Sequence, residues 1–485
     1  MPHDCDHHHD HGHAPCPGIS TNIEDYFLTR RQFLGRVGMG LGALGLATML
    51  DPLAFGASPT AAALAASGSL TPKLPPLPAK AKAVIHIFAQ GAPSHIDTWD
   101  PKPALLAMDD RSIGNDGGVA MASPFKFQKY GQSGLEVSDL FAKTAAHADD
   151  LAVVRSMYTD IPAHEVATMF MNTGSIRIAK PSLGSWVVYG LGTENQNLPG
   201  FISLRGNSLP VGGAASYGSA FLPGVYQATS VNTSAKTVPQ MIQNIRNSYL
   251  SPAEQRRQLD FVQKLNTLHA QNLQHDAALE SRVENAEIAF RMQAEATDAF
   301  DITKEKADTR AAYGETAQGK QLLIARRLVE RGVRFVQVWH DGWDHHQDLQ
   351  ERLTEKTREI DQPLAALLAD LKLRGLLDST LVIWGGEFGR KPTKDRNGGA
   401  SPGRDHNAKA FSVVLAGGGV KGGQVHGETD EFGSAAIKNK VHVHDLHATI
   451  LQTLGFDHTK LTYRYNGRDF RLTDVAGEVV KPLLA

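Results

Sequence analysis

The feature that most constrains this chain is a repeated one: a short, largely apolar run that empties directly into a polar loop. Leu381-Val382-Ile383-Trp384 opens onto Gly385-Gly386-Glu387-Phe388-Gly389-Arg390. A loop rich in Gly, Pro and charge follows, ends in Arg404-Asp405-His406-Asn407 and leads to a second apolar run, Ala410 to Ala416. Ala83 to Ala89 opens in the same way onto Gln90–Asp100, and Val333 to Trp339 onto His340–His346. A run so largely apolar is long enough for a buried strand, as in a parallel sheet covered by helices. Long loops pinned between such strands are disordered or functional. The recurrence of similar chemistry after several strands favours a site.

Helical periodicity fills the intervals. It spans Gln321 to Arg331 (stopped by Gly332), Leu349 to Leu371 with an expected bend at Pro363, and Asp445 to Leu454 (closed by Gly455). Ser251-Pro252-Ala253-Glu254 combines a capping box with proline in the first turn. It announces a largely helical stretch, 251–312, expected as an insertion beside the site. Shorter strands are expected at Leu151–Val154 and Phe201–Leu204. Strands alternating with helices predict an α/β fold with a mainly parallel central sheet. In such sheets ligands bind beyond the carboxyl ends of the strands, which brings 91–100, 340–346 and 385–407 to one rim.

The amino-terminal region reads differently. Met1 to Gly18 carries six histidines with Cys5 and Cys16, a composition that suits a metal-binding tract or a polar tail. Thr29-Arg30-Arg31-Gln32-Phe33-Leu34 is a twin-arginine export motif, followed by a Gly-rich apolar run too short and weak for a stable membrane span. Residues 1–66 are therefore expected to be a His-rich segment and signal peptide, 67–82 a linker, and 83–485 the folded domain. The export machinery is one expected partner, and the expected location is periplasmic or secreted. Both cysteines precede the expected cleavage point, so the mature chain has no disulfide. A formal net charge of -2 gives no reason to expect nucleic acid as a partner.

Carboxylates and imidazoles dominate the rim. Asp344 and His346 flank His345, Asp405-His406 forms a second such pair, and Glu387 stands at a strand end. Together they suit a divalent cation: zinc, manganese, iron or, with more carboxylates, calcium. A hydrogen-bonded polar network is the alternative. Arg390 and Arg404 offer planar forks for phosphate or sulfate oxygens, or pair internally with Glu387 or Asp405. Ser94 is either a nucleophile or a turn residue after Pro93. The pattern does not place His164-Glu165.

At Gly91–Asp100, Phe170–Gly174, Gly342–His346, Gly386–Arg390, Gly403–Asn407 and Asp445–Gly455 the chain resembles an exported family. This is domain of unknown function 1501, a sulfatase-like branch of the alkaline-phosphatase superfamily. The resemblance implies a three-layer α/β/α sandwich and a metal-dependent ester hydrolase site acting on a small anionic ester or a sulfated or phosphorylated glycan. It implies Asp344, His346 and His406 as ligands of one metal; the residues themselves add Asp97, Glu387 and Asp405 as further ligand candidates and Ser94, Arg390 and Arg404 as candidates for catalysis. Glu387 and Phe388 occupy the place of the superfamily's Asp-His pair. Gln90-Gly91 occupies that of its first metal aspartate, leaving Asp97 nearest. No cysteine lies in a sulfatase-type modification motif. An anion-binding protein of the same fold, without turnover, is the alternative function.

Overall fold

The structure, a computed structural model, describes residues 70–485 except 115–116, 244, 248 and 274–276. The twin-arginine motif, the His-rich tract and the cleavage region lie outside the described residues. Residues 70–246 and 250–485 belong to one compact unit, which holds every element named below.

The strands that matter are β1 (Ala83–Ala89), β2 (Leu151–Tyr158), β3 (Phe201–Arg205), β4 (Thr229–Asn232), β5 (Phe335–His340) and β6 (Thr380–Gly385). They continue with β7 (Gly389–Lys394), β8 (Arg404–Asn407), β9 (Phe411–Ala416), β10 (Gln424–His426) and β11 (Val441–His442). The central sheet runs in the order β10-β2-β9-β6-β1-β5-β3-β4, with β11 also paired to β2. β1 is parallel to both β5 and β6, and β3 to β4 and β5. Within this sheet β9 runs against its neighbours, antiparallel to β6 and β2. β1, β5, β6 and β9 are buried at every position, as their largely apolar runs lead one to expect, and the burial extends to His86, Gln337, His340, Thr380 and Ser412 within them. Helices surround the sheet, in a mainly parallel α/β/α arrangement of the alkaline-phosphatase type.

Register sets the site. Ala89 pairs with His340, and Phe88 with Gly385. The ends of β1, β5 and β6 are therefore level, and the chain leaves all three at one rim. The residues after β6 are not an irregular loop. They form the antiparallel hairpin of β7 and β8, which rises above the rim and returns the chain through β9 in the opposite direction. Backbone pairing across the hairpin satisfies amides that a bare loop would leave to water. Beneath the rim the rings of Trp99, Phe141, Trp343 and Trp384 pack together, with Phe141 and Trp384 centroids 5.1 Å apart.

The helices begin with α1 (His95–Thr98) and α2 (His164–Thr173). The expected insertion is α3 (Pro252–Leu273), α4 (Ala277–Ala299) and α5 (Ala307–Tyr313). The capping box forms as its sequence dictates: Glu254 Oε2 accepts from the Ser251 amide at 2.8 Å, and the Glu254 amide donates to Ser251 Oγ at 3.3 Å. α6 (Ala317–Glu330) comes next, and α7 (Leu349–Leu373) continues through Pro363 as one helix. Among the described residues no helix is long and apolar enough to cross a membrane.

One boundary moves. Residues 70–82, expected as a linker, lie against the body. Leu70 is 2 % exposed. Lys73 N donates to Leu191 O at 2.8 Å, and Lys80 N and Ala81 N both donate to Thr453 O at 2.9 Å. Prolines and lysines suggest a linker by composition, and residues 71–80 are mostly exposed, yet the buried leucine and these amide partners tie the segment to the body.

Candidate metal centre

Four side-chain atoms converge at the rim. His406 Nε2 lies 2.9 Å from His164 Nε2 and 3.0 Å from His346 Nε2. Asp344 Oδ1 lies 3.2 Å from His164 Nε2, 2.9 Å from His346 Nε2 and 3.4 Å from His406 Nε2. His164 opens α2, Asp344 and His346 come after β5, and His406 sits on β8, so three separate segments meet.

The far side of each ring shows what these nitrogens carry. His164 Nδ1 is 2.6 Å from Glu387 Oε1, His346 Nδ1 is 2.5 Å from Asp395 Oδ2, and His406 Nδ1 is 2.9 Å from the Pro162 carbonyl. All three partners accept, so each Nδ1 must donate, and the hydrogen-bond network assigns the tautomer. In neutral rings every Nε2 then presents a lone pair to the others and to a carboxylate oxygen. Arg390 Nη1 points a donor at His346 Nε2 from 3.4 Å, and a positive charge at the centre would satisfy the remaining acceptors. The set of three imidazoles and a carboxylate, each ring oriented by an acceptor behind it, fits a divalent cation of the zinc, iron or manganese kind better than calcium. His164, Asp344 and His406 form one group of suitable atoms, and His346, Asp395 and Asp405 an adjoining one.

Without a metal, a proton supplies the charge. Burial alone would lower the pKa of His164, but hydrogen bonds to Asp344 and Glu387 outweigh it and raise the value to about 9. Asp344 responds in the opposite sense. Burial would raise its pKa, yet hydrogen bonds with His164 and His406, together with the Arg390 guanidinium, hold it well below the usual carboxylate range.

Arg390 is 1 % exposed, and its guanidinium is fully used inside the protein. It donates to the carbonyls of Ala92 and Gly91, to Arg404 O, and at 2.5 Å to Asp344 Oδ1. The expectation that it grips substrate oxygens is corrected: its work is to pin Asp344. Gly91 belongs to the same knot. At φ +105° a Cβ there would stand 2.6 Å from the Asp344 amide nitrogen, so only glycine lets the two loops pass.

Ser94, Asp97 and Arg404 are not part of the cluster. Arg404 donates to both oxygens of Asp97, at 2.7 and 3.0 Å, and Ser94 Oγ donates to Asp97 Oδ2 at 2.5 Å. Asp97 and Arg404 are both fully buried. Three expectations are corrected here. Asp97 spends its oxygens on Arg404 and Ser94 and has none directed to a metal. Arg404 has no free fork for an anion. The Ser94 hydroxyl is committed within a buried network. Glu387, also expected as a ligand, is fully buried and accepts from His164 Nδ1 and from Gly91 N at 2.9 Å. Asp405 accepts from its own neighbour's amide, His406 N, at 2.7 Å and from Lys391 at 2.7 Å. His345 turns away to the Gly342 carbonyl.

The sequence pattern named His164 without placing it, and missed Asp395. The signal for His164 was positional: an imidazole at a helix start, just after a strand whose last four residues were not recognised. Nothing marked Asp395, which the β7–β8 hairpin carries to His346.

These features define an α/β protein of alkaline-phosphatase-like fold with a histidine–carboxylate cluster beyond its strand ends. Residues 81–484 match the family described as Protein of unknown function (DUF1501), and the chain belongs to it. No curated protein matches the chain. Among solved structures it is similar to the PsFucS1 sulfatase from Pseudoalteromonas sp., at 13% identity and TM-score 0.35 over 82% of this chain and 72% of that one. It is similar to the phosphonate monoester hydrolase SpPMH from Silicibacter pomeroyi, at 13% identity and TM-score 0.33 over 83% and 76%. It is also similar to alkaline phosphatase from the Antarctic bacterium TAB5, at 11% identity and TM-score 0.28 over 73% and 95%.

Proposed function

We propose that this protein is an exported, metal-dependent hydrolase of sulfate or phosphate esters, with His164, Asp344, His346 and His406 as the metal ligands. One observation carries the proposal: Asp344 Oδ1 lies beside all three imidazole Nε2 atoms and His406 Nε2 beside the other two, while every Nδ1 is engaged elsewhere. A cation held by these four residues would supply Lewis-acid charge to an ester. The chain's own residues prepare for it. Glu387, Asp395 and the Pro162 carbonyl fix the rings, and Arg390 fixes Asp344. The Asp344 side chain is 43% exposed and His346 35%, which supports access for a substrate. Export rests on Arg30-Arg31 and the residues after them.

One observation favours the alternative, a protein that binds anionic esters or glycans without turnover. The Ser94 hydroxyl, a candidate nucleophile, is buried and bonded to Asp97. The hydrolase reading then requires water as the attacking group.

Metal analysis and a screen on aryl sulfates and phosphates test the proposal together. His406→Ala should lose bound metal, whereas His345→Ala should keep it. Full occupancy in the His406 variant would reduce the cluster to a hydrogen-bond network. Stoichiometric metal with no hydrolysis of any ester would favour the binding protein.

A further inference from the structure

α2 carries His164 at its first position, and its last turn lies against α8 (Val443–Thr453). His447 Nε2 is 2.8 Å from the Met171 carbonyl, and His444 Nε2 is 3.1 Å from that of Gly174. A helix leaves its last carbonyls without partners, and here two imidazoles supply donors to that end. Carbonyl oxygens only accept, so each Nε2 carries a proton, and the hydrogen-bond network assigns that tautomer. Each Nδ1 is then a bare acceptor, buried and without a partner among the described residues. The turn they grip is tight. Gly174 takes φ +63°, and a Cβ there would stand 2.2 Å from Leu472 O and 3.4 Å from His444 Nε2. From Met171 back to His164 is two helical turns, roughly 10 Å of rigid backbone, so where this end sits decides where His164 sits.

A proton arriving at either Nδ1 finds no acceptor. The groups facing His444 are His442, Asp474 and Lys180, and the last two pair with each other at 3.0 Å. Those facing His447 are His444, His442 and His86 of β1, all imidazoles. His86 is itself buried with an unpartnered Nδ1. A helix C-terminus favours a cation, yet burial outweighs it. Burial lowers the pKa of His444, and burial with the neighbouring His444 lowers that of His447 to about 3. Both rings are therefore neutral in the closed structure, whereas in an opened one they take up protons below about 6.5. The contact is at full strength above that value and weakens as pH falls through it.

We propose that His444 and His447 are positioning residues that form an acid-sensitive latch: neutral, they hold the last turn of α2 and so seat His164 in the cluster; protonated, they release that turn and its metal ligand. The inference rests on reading His164 as a ligand.

The test is amide hydrogen exchange by mass spectrometry on the chelator-treated full chain, at neutral pH and at about pH 5, with rates corrected for the intrinsic effect of pH. Without metal, competition between protons and a cation does not enter. For His447 alone, a closed pKa of about 3 against about 6.5 in the opened state favours opening by about 25-fold at the lower pH. Peptides covering His164–Gly174 should lose protection by at least that factor, while those covering Ala83–Ala89 keep it. His444→Gln combined with His447→Gln leaves an amide donor near each Nε2 position and nothing to protonate, so α2 should stay protected. His426→Gln, at a buried histidine on the edge strand β10, should exchange as the parent does. At neutral pH His447→Leu, which removes the donor, should lower cluster zinc, taken as the excess over His406→Ala, and His447→Gln should retain it. Equal protection of α2 at both pH values, or loss of protection in the glutamine pair as in the parent, would overturn the latch. If the glutamine pair does not fold, the parent's comparison of α2 with β1 decides. Acid opening of α2 in a parent with no excess zinc at neutral pH would instead remove the metal centre and leave the latch standing.

Discussion

Glu387 Oε1 lies 2.6 Å from His164 Nδ1, and the glutamate side chain is fully buried. The same oxygen accepts from the Gly91 amide at 2.9 Å. One carboxylate thus joins the loops after β1 and β6 to the start of α2, and fixes the tautomer of a proposed ligand. Carboxylates behind metal-bound imidazoles contribute about 10- to 100-fold in affinity. Glu387→Gln should weaken zinc binding by about that factor. Glu387→Ala should also destabilise the protein by about 1–3 kcal/mol, because the Gly91 amide loses its acceptor. Competition with a chromophoric chelator and melting curves measure the two effects. Parental affinity in both variants would remove Glu387 from the centre.

His164 makes the metal-free protein sensitive to alkali. Its folded pKa of about 9 exceeds the ordinary histidine value of about 6.5. A group raised on folding binds its proton more tightly in the native state. It stabilises fully below about 6.5, and the contribution, on the order of 2–3 kcal/mol, is lost as pH rises through about 9. The melting temperature of chelator-treated protein should therefore fall across that window. His164→Gln should flatten the profile, and saturating zinc should remove the dependence by displacing the proton. A parental melting temperature constant from pH 6.5 to 9 would contradict the assignment.

Residues 70–82 should behave as part of the fold. Burying a leucine contributes about 1.5–3 kcal/mol, and the Leu70 amide also donates to Glu284 Oε1 at 3.3 Å. A chain beginning at residue 83 should melt well below one beginning at 70. Trypsin should be slow at Lys73, whose ammonium donates to the Tyr189 carbonyl at 3.0 Å. Equal melting temperatures and rapid cleavage at Lys73 would restore the linker.

The fold was legible because apolar runs such as Ala83–Ala89 and Leu381–Trp384 have one physical explanation, burial on both faces of a parallel sheet. The site was legible only in part. Asp344 and His346 come after β5, and His406 lies in the stretch that follows β6, so they could be gathered by the strand-end rule. His164 could not, since β2 continues through Arg155 and the polar end of the strand concealed its exit. Charge type was misleading for Arg390, Arg404 and Asp97. A sequence shows that arginines and aspartates are near a rim but not whether they face outward or close on one another. That choice depends on the β7–β8 hairpin, whose pairing crosses a loop without helical or strand periodicity.

The pair of Asp97 and Arg404 gives the sharpest test of that difference. Burial would raise the pKa of Asp97, but the Arg404 charge and hydrogen bonds from Arg404 and Ser94 outweigh it and lower the value. Both groups are therefore charged inside the protein. Removing one partner of such a pair costs about 3–5 kcal/mol, because the other charge is left buried and alone. Replacing both with apolar residues of similar volume is often close to neutral. Arg404→Ala should accordingly destabilise strongly, whereas Arg404→Met combined with Asp97→Leu should recover most of the loss. Ser94→Ala should cost only about 1 kcal/mol, the net worth of one hydrogen bond. None of these substitutions should change zinc content. If Arg404→Ala instead left the melting temperature intact and abolished ester turnover, Arg404 would be a substrate-binding residue and the buried network would not be what holds this corner of the rim.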